Sequence, residues 1–281
     1  MTEHSKGLLA IVVTSLLWST GGVFIKLISF GAFQLSFFRS SFAALTVFVF
    51  YRRSALFFNR YVFFNAVMYS LVLILFVAAT KMTTAANAIF LQYTAPIYVL
   101  VLEPLLLKTK FERANIATVT IAFFGMLLFF VGDIKIGEMT GNVLALLSGI
   151  ALAGFFLGQR KIENTHKISS IFYGNMLIVI VCFFLVGEFE AINVSDLTMV
   201  GYLGIVQIGI SYILFSYSIA RIQAIEASLI AMIEPVLNPI WVFIWYGEQP
   251  TLFAILGGLI IVAGVTYRSI TSKQKEEFMP D

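Results

Sequence analysis

The chain contains ten long apolar segments, and this feature limits its fold more than any other. A helix needs about 20 mainly apolar residues to cross the hydrocarbon core of a bilayer. Only helices and closed barrels can cross it, because every backbone polar group must be paired within the structure. The apolar segments are continuous rather than alternating, so they predict helices. The ten predicted spans are Leu8–Ile28, Ala32–Tyr51, Tyr61–Thr80, Thr84–Leu107, Arg113–Val131, Asn142–Gln159, Ile168–Gly187, Asp196–Ile219, Gln223–Tyr246 and Thr251–Ile270.

The composition excludes a soluble domain with a polar surface. Charged residues make up 12% of the 281 residues, whereas a soluble domain carries about 25%. The mean hydropathy is +0.95, so we expect the lipid bilayer to cover most of the surface. The net charge of +3 does not indicate nucleic-acid binding. Cys182 is the single cysteine, and its apolar surroundings are typical of a buried, inert thiol.

The distribution of Lys and Arg predicts the orientation, because these residues favour cytoplasmic loops. With the N-terminus inside, 14 of the 18 Lys and Arg residues fall in cytoplasmic loops. Lys81 and Lys135 fall outside, and Lys26 and Arg39 lie within spans. The fourteen are Lys6, Arg52, Arg53, Arg60, Lys108, Lys110, Arg113, Arg160, Lys161, Lys167, Arg221, Arg268, Lys273 and Lys275. We therefore expect a multi-pass protein of the cell (inner) membrane with both termini in the cytoplasm.

An internal repeat is visible when the chain is shifted by 139 residues. The matching pairs are Ala85 with Ala224, Ala88 with Ala227, Pro96 with Pro235, and Gly125 with Gly264. Two halves of five spans each have opposite topology because five is odd, which predicts an inverted repeat with a binding site between the halves. The predicted division is residues 1–132 and 133–272 for the two five-helix repeats and 273–281 for a cytoplasmic tail.

Several stretches resemble the EamA-type family of the drug/metabolite transporter superfamily. They are Leu16 to Gly22 (LLWSTGG), Phe38 to Ser40 (FRS), Ala224 to Val236 (AIEASLIAMIEPV), Tyr246 to Glu248 (YGE) and Gly257 to Val265 (GGLIIVAGV). The resemblance covers nearly the whole chain and implies ten helices in two five-helix repeats. It also implies transport of amino acids, other metabolites or toxic compounds, more often by export than by import.

The chain departs from the family pattern at two places. Leu152 occupies a position in the sixth span where the family often has tryptophan, and the acidic residue often found after the fourth span is replaced by Thr109 or a neighbour. These departures affect local detail. The resemblance does not define a substrate, because the family is broad.

Ionisable residues inside a membrane are costly and therefore indicate functional sites. Glu234 is the strongest candidate, because it lies near the middle of span nine just before Pro235, where the helix is expected to bend or open. Glu226, Glu234, Asn238 and Trp241 fall on one face of a continuous helix and could line a cavity. The alternative is that Glu234 pairs with a neighbouring helix and only holds the fold.

Span four offers two opposite polar faces, and the sequence does not choose between them. One carries Gln92, Pro96 and Glu103, and the other carries Asn87, Thr94 and Tyr98. Glu103 lies close to the span's end, so it either acts in coupling or reaches interfacial water.

Arg39 and Trp18 are further candidates inside the membrane. Arg39 either attracts an anionic substrate group or binds backbone carbonyls, and Trp18 is either core packing or an aromatic wall for a ligand. The full set of candidate substrate-binding residues is Trp18, Gln92, Tyr93, Tyr98, Gln207, Tyr212, Glu234, Asn238 and Trp241. The candidate coupling or gating residues are Glu103, Glu234, Arg39, Pro96 and Pro235.

These patterns favour a secondary transporter of amino acids, amines or related amphiphiles, with protons as a candidate coupling ion. The sequence has no phosphate-cradling loop, no nucleophile elbow and no metal-ligand cluster, so we predict neither a cofactor nor a metal. A membrane enzyme acting on lipid-linked substrates is the alternative, with Glu103 as its candidate group. A non-transporting scaffold is disfavoured by the short loops. The oligomeric state and the substrate are left open.

Overall fold

The protein is a bundle of helices. The computed structural model describes residues 2–108, 113–130, 139–247 and isolated positions between 252 and 267, and the regular structure in these parts is helical. The helices are α1 (Glu3–Ser19), α2 (Gly21–Leu27), α3 (Ala32–Tyr51), α4 (Arg60–Met82), α5 (Ala85–Gln92), α6 (Ala95–Leu107), α7 (Arg113–Phe130), α8 (Met139–Lys161), α9 (Lys167–Leu185), α10 (Val194–Tyr202), α11 (Ser211–Ile219), α12 (Ala224–Ala231) and α13 (Ile233–Tyr246). A π-helical segment, Leu203–Ile210, joins α10 to α11.

Eight segments within the described residues are long and apolar enough to cross a membrane. They are α1 with α2, α3, α4, α5 with α6, α8, α9, α10 with α11, and α12 with α13, and they match eight predicted spans to within a few residues. The predicted fifth span forms α7, in which a shorter stretch, Ile116–Gly125, is apolar. The predicted tenth span, Thr251–Ile270, and the tail fall outside the continuously described residues. The chain is a multi-pass helical membrane protein.

Unlike a soluble protein, the bundle has many large apolar side chains on its surface and many polar side chains in its interior. Phe50, Leu105 and Phe184 are 67%, 69% and 77% exposed, among many other exposed apolar side chains. Many serine, threonine, asparagine and glutamine side chains are instead buried between helices. This distribution fits a lipid solvent, because polar side chains inside a membrane protein find hydrogen-bond partners on neighbouring helices.

A break interrupts the first long segment at Thr20, and two further segments are broken near their middle, after α5 and after α12. Helices α5 and α12 each have eight residues and begin 139 residues apart. Each of these latter two breaks is followed by a proline in the first turn of the next helix, Pro96 in α6 and Pro235 in α13. A proline there removes an N–H that has no intrahelical partner, so it starts a helix without destabilising it. The predicted opening of span nine is thus confirmed at Met232, just before Glu234.

Helix α8 packs closely against α4 through small residues. A side chain at Gly158 would overlap Asn65, and one at Gly154 would contact Met68. Small residues four positions apart on one helix face allow two membrane helices to approach closely, and Gly154 and Gly158 have that role here. Asparagine side chains begin two helices, since Asn59 accepts the N–H of Val62 at 2.8 Å and Asn193 accepts the N–H of Asp196 at 2.7 Å.

Polar contacts hold the bundle together at both ends. At the end that carries Glu3, the N-terminal end, the Arg221 Nε donates to Glu3 at 2.8 Å, and His4 and Glu226 are 3.0 Å apart. At the opposite end, Ser29 donates to Asp196 and Gln34 bonds to the backbone of Glu190. These contacts join elements far apart in the chain at each end of the bundle.

Candidate functional site

A small cavity lies in the middle of the bundle, between the broken spans. Its volume is about 30 Å³, which is room for roughly two water molecules. The residues lining it come from seven of the eight long apolar segments: Trp18, Arg39, Val72, Leu73, Phe76, Gln92, Tyr93, Leu152, Gln207, Ile208, Tyr212 and Glu234. We call this space the central cavity. Seven of the predicted site residues meet there: Trp18, Arg39, Gln92, Tyr93, Gln207, Tyr212 and Glu234.

Arg39 brings a positive charge to the central cavity from α3. Its side chain is 1% exposed, and its Nε and Nη2 atoms have no hydrogen-bond partner among the described residues. A buried guanidinium with unused donors is costly, and such groups are usually paired. The structure therefore disfavours the alternative in which Arg39 is held by backbone carbonyls.

Glu234 brings a carboxyl group to the same cavity from the first turn of α13. The Tyr93 hydroxyl donates a hydrogen bond to Glu234 Oε2, while Oε1 accepts none from the described residues. Within the described chain, neither Arg39 nor Glu234 has an ion-pair partner. The cavity thus holds a guanidinium group and a carboxyl group that are not bonded to each other.

Aromatic side chains form one wall of the central cavity. Trp18 lies against Tyr212 with ring centroids 4.7 Å apart, and Tyr212 also contacts Tyr69 at 4.8 Å. The Trp18 indole N–H donates to Ser211 Oγ at 2.8 Å, which fixes the ring. Such a wall can enclose the apolar part of a ligand or attract a cation.

The π-helical segment places Gln207 at the cavity. Its Nε2 donates to the Trp18 carbonyl at 3.3 Å, and its Oε1 is buried without a partner among the described residues. A π-helix is rare and is frequently found at functional sites. Gly204 lies where a side chain would overlap Phe42 and the Arg39 carbonyl, so this segment packs tightly against α3.

Gln92 closes the cavity on the side of α5. It donates to Ser148 Oγ at 2.6 Å, and Ser148 donates to the Val72 carbonyl at 3.0 Å. Of the predicted face Gln92, Pro96 and Glu103, Gln92 alone lines the cavity, because span four is broken between α5 and α6. Asn87, on the other face, bonds toward Thr83 instead.

Several predicted site residues lie away from the central cavity. The predicted stripe of Glu226, Glu234, Asn238 and Trp241 is divided by the break at Met232, and Glu234 alone of the four lines the central cavity. Glu226 instead faces His4, and the Trp241 indole N–H donates to Ser19 at 2.8 Å. Asn238 is buried close to Gly22.

Tyr98, Pro96 and Pro235 also lie outside the lining. Tyr98 is partly buried and packs against the apolar core. The two prolines are buried near the helix breaks and act on helix geometry rather than on a ligand in the cavity.

Glu103 does not reach interfacial water, contrary to one of the two interpretations of the sequence. It is 2% exposed, and its two oxygens accept the backbone N–H groups of Ala224 at 3.0 Å and Ile225 at 2.8 Å. A carboxylate is favoured there by the free N–H groups and the dipole of the helix terminus. Glu103 on α6 thus anchors the first turn of α12.

We expect Glu103→Gln to lower the thermal unfolding temperature of the purified protein. Glutamine keeps one acceptor oxygen but loses the charge, and hydrogen bonds to charged groups contribute about 1.5–3 kcal/mol each. Glu163→Gln is the matched control, because the Glu163 side chain is 83% exposed. Equal unfolding temperatures for the Glu103 variant and the unchanged protein would contradict the anchoring role.

Five apolar residues of the cavity lining were not predicted: Val72, Leu73, Phe76, Leu152 and Ile208. Apolar residues in a membrane helix look alike in sequence whether they face lipid, core or cavity. Leu152 alone carried a signal, since it stands where the family often has tryptophan. Leucine is smaller than tryptophan and has no N–H group, so Leu152 contributes only apolar surface to the cavity wall.

The fold is that of a multi-pass helical membrane protein with a small cavity between its helices. The model of the EamA-like transporter family matches residues 5–131 and again residues 139–269. The chain therefore belongs to the EamA-like transporter family, within the drug/metabolite transporter superfamily.

Three relatives illustrate the range of the similarity. An uncharacterized transporter of Archaeoglobus fulgidus is 28% identical over 260 residues, covering 91% of this chain and 93% of that protein. The uncharacterized transporter YdfC of Bacillus subtilis is 29% identical over 205 residues, covering 69% and 66%. A probable terminal-alkyne amino-acid exporter of Streptantibioticus cattleyicolor is 20% identical over 186 residues, covering 64% and 63%.

A protein of known crystal structure has the same fold. The TM-score is 0.79 at 15% sequence identity, covering 95% of this chain and 98% of that chain.

Proposed function

We propose that the protein is a secondary transporter that exports small charged metabolites, foremost amino acids, by alternating access. The observation that carries this proposal is that two ionisable groups of opposite type, the Arg39 guanidinium and the Glu234 carboxyl, line one buried cavity without bonding to each other. An amino acid presents a carboxylate and an ammonium group and would satisfy both. An amine would use Glu234 alone, and aromatic Trp18 and Tyr212 would enclose the apolar part of either ligand.

Alternating access requires two halves that move relative to each other. The double match of the family model and the equal spacing of the broken helices α5 and α12 support two inverted five-helix repeats, residues 1–132 and 133–272. A cavity of about 30 Å³ is too small for an amino acid. Binding would therefore require the polar contacts at one end of the bundle to separate.

The distribution of Lys and Arg supports placing the N-terminal end of the bundle in the cytoplasm. For an exporter, substrate would then enter at this end. Glu234 is the group proposed to couple transport to protons, because a carboxylate that binds the substrate ammonium can bind a proton after the substrate leaves.

The enzyme alternative gains no support from the described residues. Its candidate group, Glu103, has both oxygens bonded to the first turn of α12. A general acid or base must reach the reacting atoms, and Glu103 is 2% exposed.

Counterflow in liposomes tests the proposed function. Purified protein is reconstituted into vesicles loaded with one unlabelled solute, and uptake of the same labelled solute is followed for a panel of amino acids, amines and organic acids. We expect uptake above protein-free vesicles for at least one amino acid. Folded protein that moves no member of the panel would contradict the proposal.

A further inference from the structure

A second, larger space opens at the N-terminal end of the bundle. Its volume is about 580 Å³. It is lined by Glu3, Tyr51, Asn164, Thr165, Lys167, Ile168, Ser216, Tyr217, Ala220 and Arg221. We call it the vestibule. It shares no lining residue with the central cavity, so the two spaces are separate in this structure.

Helix α11 connects the vestibule to the central cavity along one of its faces. Tyr212 lines the cavity, and Ser216 and Ala220 line the vestibule. Residues four apart lie above one another on a helix, and four residues rise about 6 Å. The two spaces are therefore separated along α11 by little more than one helical turn.

Ser216 lies at this narrow separation with an unused hydroxyl group. Its residue is 9% exposed, and Oγ has no hydrogen-bond partner among the described residues. Serine in a membrane helix commonly donates to a carbonyl one turn earlier, as Ser15 donates to Ile11 and Ser41 to Phe37. The Ser216 hydroxyl is buried in this structure, so a passing polar group would bond to it only when the helices around it separate.

Helix α3, like α11, has one face that runs from the central cavity to the vestibule. Arg39, Ala43, Val47 and Tyr51 follow one another at intervals of four residues. Arg39 lines the central cavity and Tyr51 lines the vestibule. Ala43 and Val47 between them are fully buried, so this part of the structure is closed.

The charges around the vestibule favour an anionic group. The charged residues of the lining are Glu3, Lys167 and Arg221, an excess of one positive charge. The Lys167 ammonium group is buried and donates to the backbone carbonyls of Gln159 and Ile162, so Arg221 is the basic side chain of this lining that an anion could reach. The Glu3–Arg221 pair spans from α1 to the end of α11, and the Arg221 guanidinium lies 3.5 Å from the centroid of the Tyr217 ring. The Glu3 side chain is 62% exposed, and exposed ion pairs contribute only about 0.2–1 kcal/mol, so this contact separates readily.

We infer that the vestibule is one end of the substrate route. We also infer that the substrate contacts Ser216 as it moves between the vestibule and the central cavity. The ligand expected there is a small molecule with a carboxylate group. The inference rests on the proposed transport function. It goes further by assigning the route to the space between α3, α9 and α11.

Thiol modification tests the route. Cys182 is the single cysteine, so Cys182→Ala gives a cysteine-free background for Ser216→Cys. Ser218→Cys is the matched control, because Ser218 is fully buried two residues away and donates to the Gly7 carbonyl at 2.8 Å. The probe is a small water-soluble methanethiosulfonate, in an anionic and a cationic form. We expect the Ser216 variant to react at least an order of magnitude faster than the Ser218 variant, and faster with the anionic form.

Modification must also affect transport if Ser216 lies on the route. In vesicles that show counterflow, we expect modification of the Ser216 variant to reduce the rate by at least an order of magnitude and to leave the Ser218 variant unchanged. Equal reaction of the two variants, or complete modification of Ser216→Cys with full counterflow, would overturn the inference while the transport function stands. Absence of counterflow in the unmodified cysteine-free protein and in the unchanged protein would instead overturn the proposed function.

Discussion

Replacing Arg39 by glutamine is expected to abolish transport of carboxylate substrates while leaving the protein folded. A substrate carboxylate would lose two charge-assisted hydrogen bonds, each contributing about 1.5–3 kcal/mol, so its affinity should fall by at least about 100-fold. The affinity of Arg39→Lys for a carboxylate substrate should lie between that of the unchanged protein and that of Arg39→Gln. Lysine keeps the charge but cannot bind a carboxylate through two parallel donors. The rate of counterflow and the dissociation constant measure the effect.

The stability of the same variant separates a binding role from a structural one. Arg39 is 1% exposed, with Nε and Nη2 unpaired among the described residues. Removing a buried, unpaired charge should leave the unfolding temperature unchanged or raise it. A marked fall in unfolding temperature, together with normal transport, would show that Arg39 holds the fold.

Glu234→Gln is expected to abolish binding of substrates with an ammonium group and to remove the pH dependence of transport. Glutamine has nearly the same shape but provides neither a negative charge nor a site for a proton. Ammonium substrates should lose about 100-fold in affinity, since a buried charge-assisted contact is lost. Counterflow across a range of pH values measures both effects.

Tyr93→Phe is the matched control for Glu234. It removes the hydroxyl that donates to Glu234 but keeps the carboxylate and the aromatic ring. We expect a smaller loss of affinity, with the pH dependence retained. Unchanged ammonium affinity and unchanged pH dependence in Glu234→Gln would place Glu234 among the structural residues.

The sequence predicted the spans well because hydropathy and length are local properties. Ala32–Tyr51 forms α3 with the predicted bounds, and the other long apolar segments differ by a few residues. The charged and polar residues within spans were also good guides. Arg39, Glu234 and Gln207 came together at one cavity although they are far apart in the chain.

The failures arose where helical phase or a distant partner decides the position of a side chain. Asn238 and Trp241 were placed with Glu226 on one face by assuming a continuous helix, and the break at Met232 removes that relation. The bond between Glu103 and the first turn of α12 joins residues more than 120 positions apart, and no local pattern encodes it.

The small volume of the central cavity also could not be predicted from the sequence. Its size depends on how Trp18, Tyr212 and the π-helical segment pack together. Hydropathy distinguishes a polar residue from an apolar one, but it carries no information about the space left between side chains.

The central claim is that Arg39 and Glu234 bind the two opposite charges of one ligand in the same cavity. Calorimetric titration tests it most directly, with an amino acid that the protein transports, the corresponding amine without the carboxylate, and the corresponding acid without the amino group. We expect Arg39→Gln to weaken the binding of the amino acid and of the acid but not that of the amine. We expect Glu234→Gln to weaken the binding of the amino acid and of the amine but not that of the acid. Equal effects of either variant on all three ligands would contradict the claim.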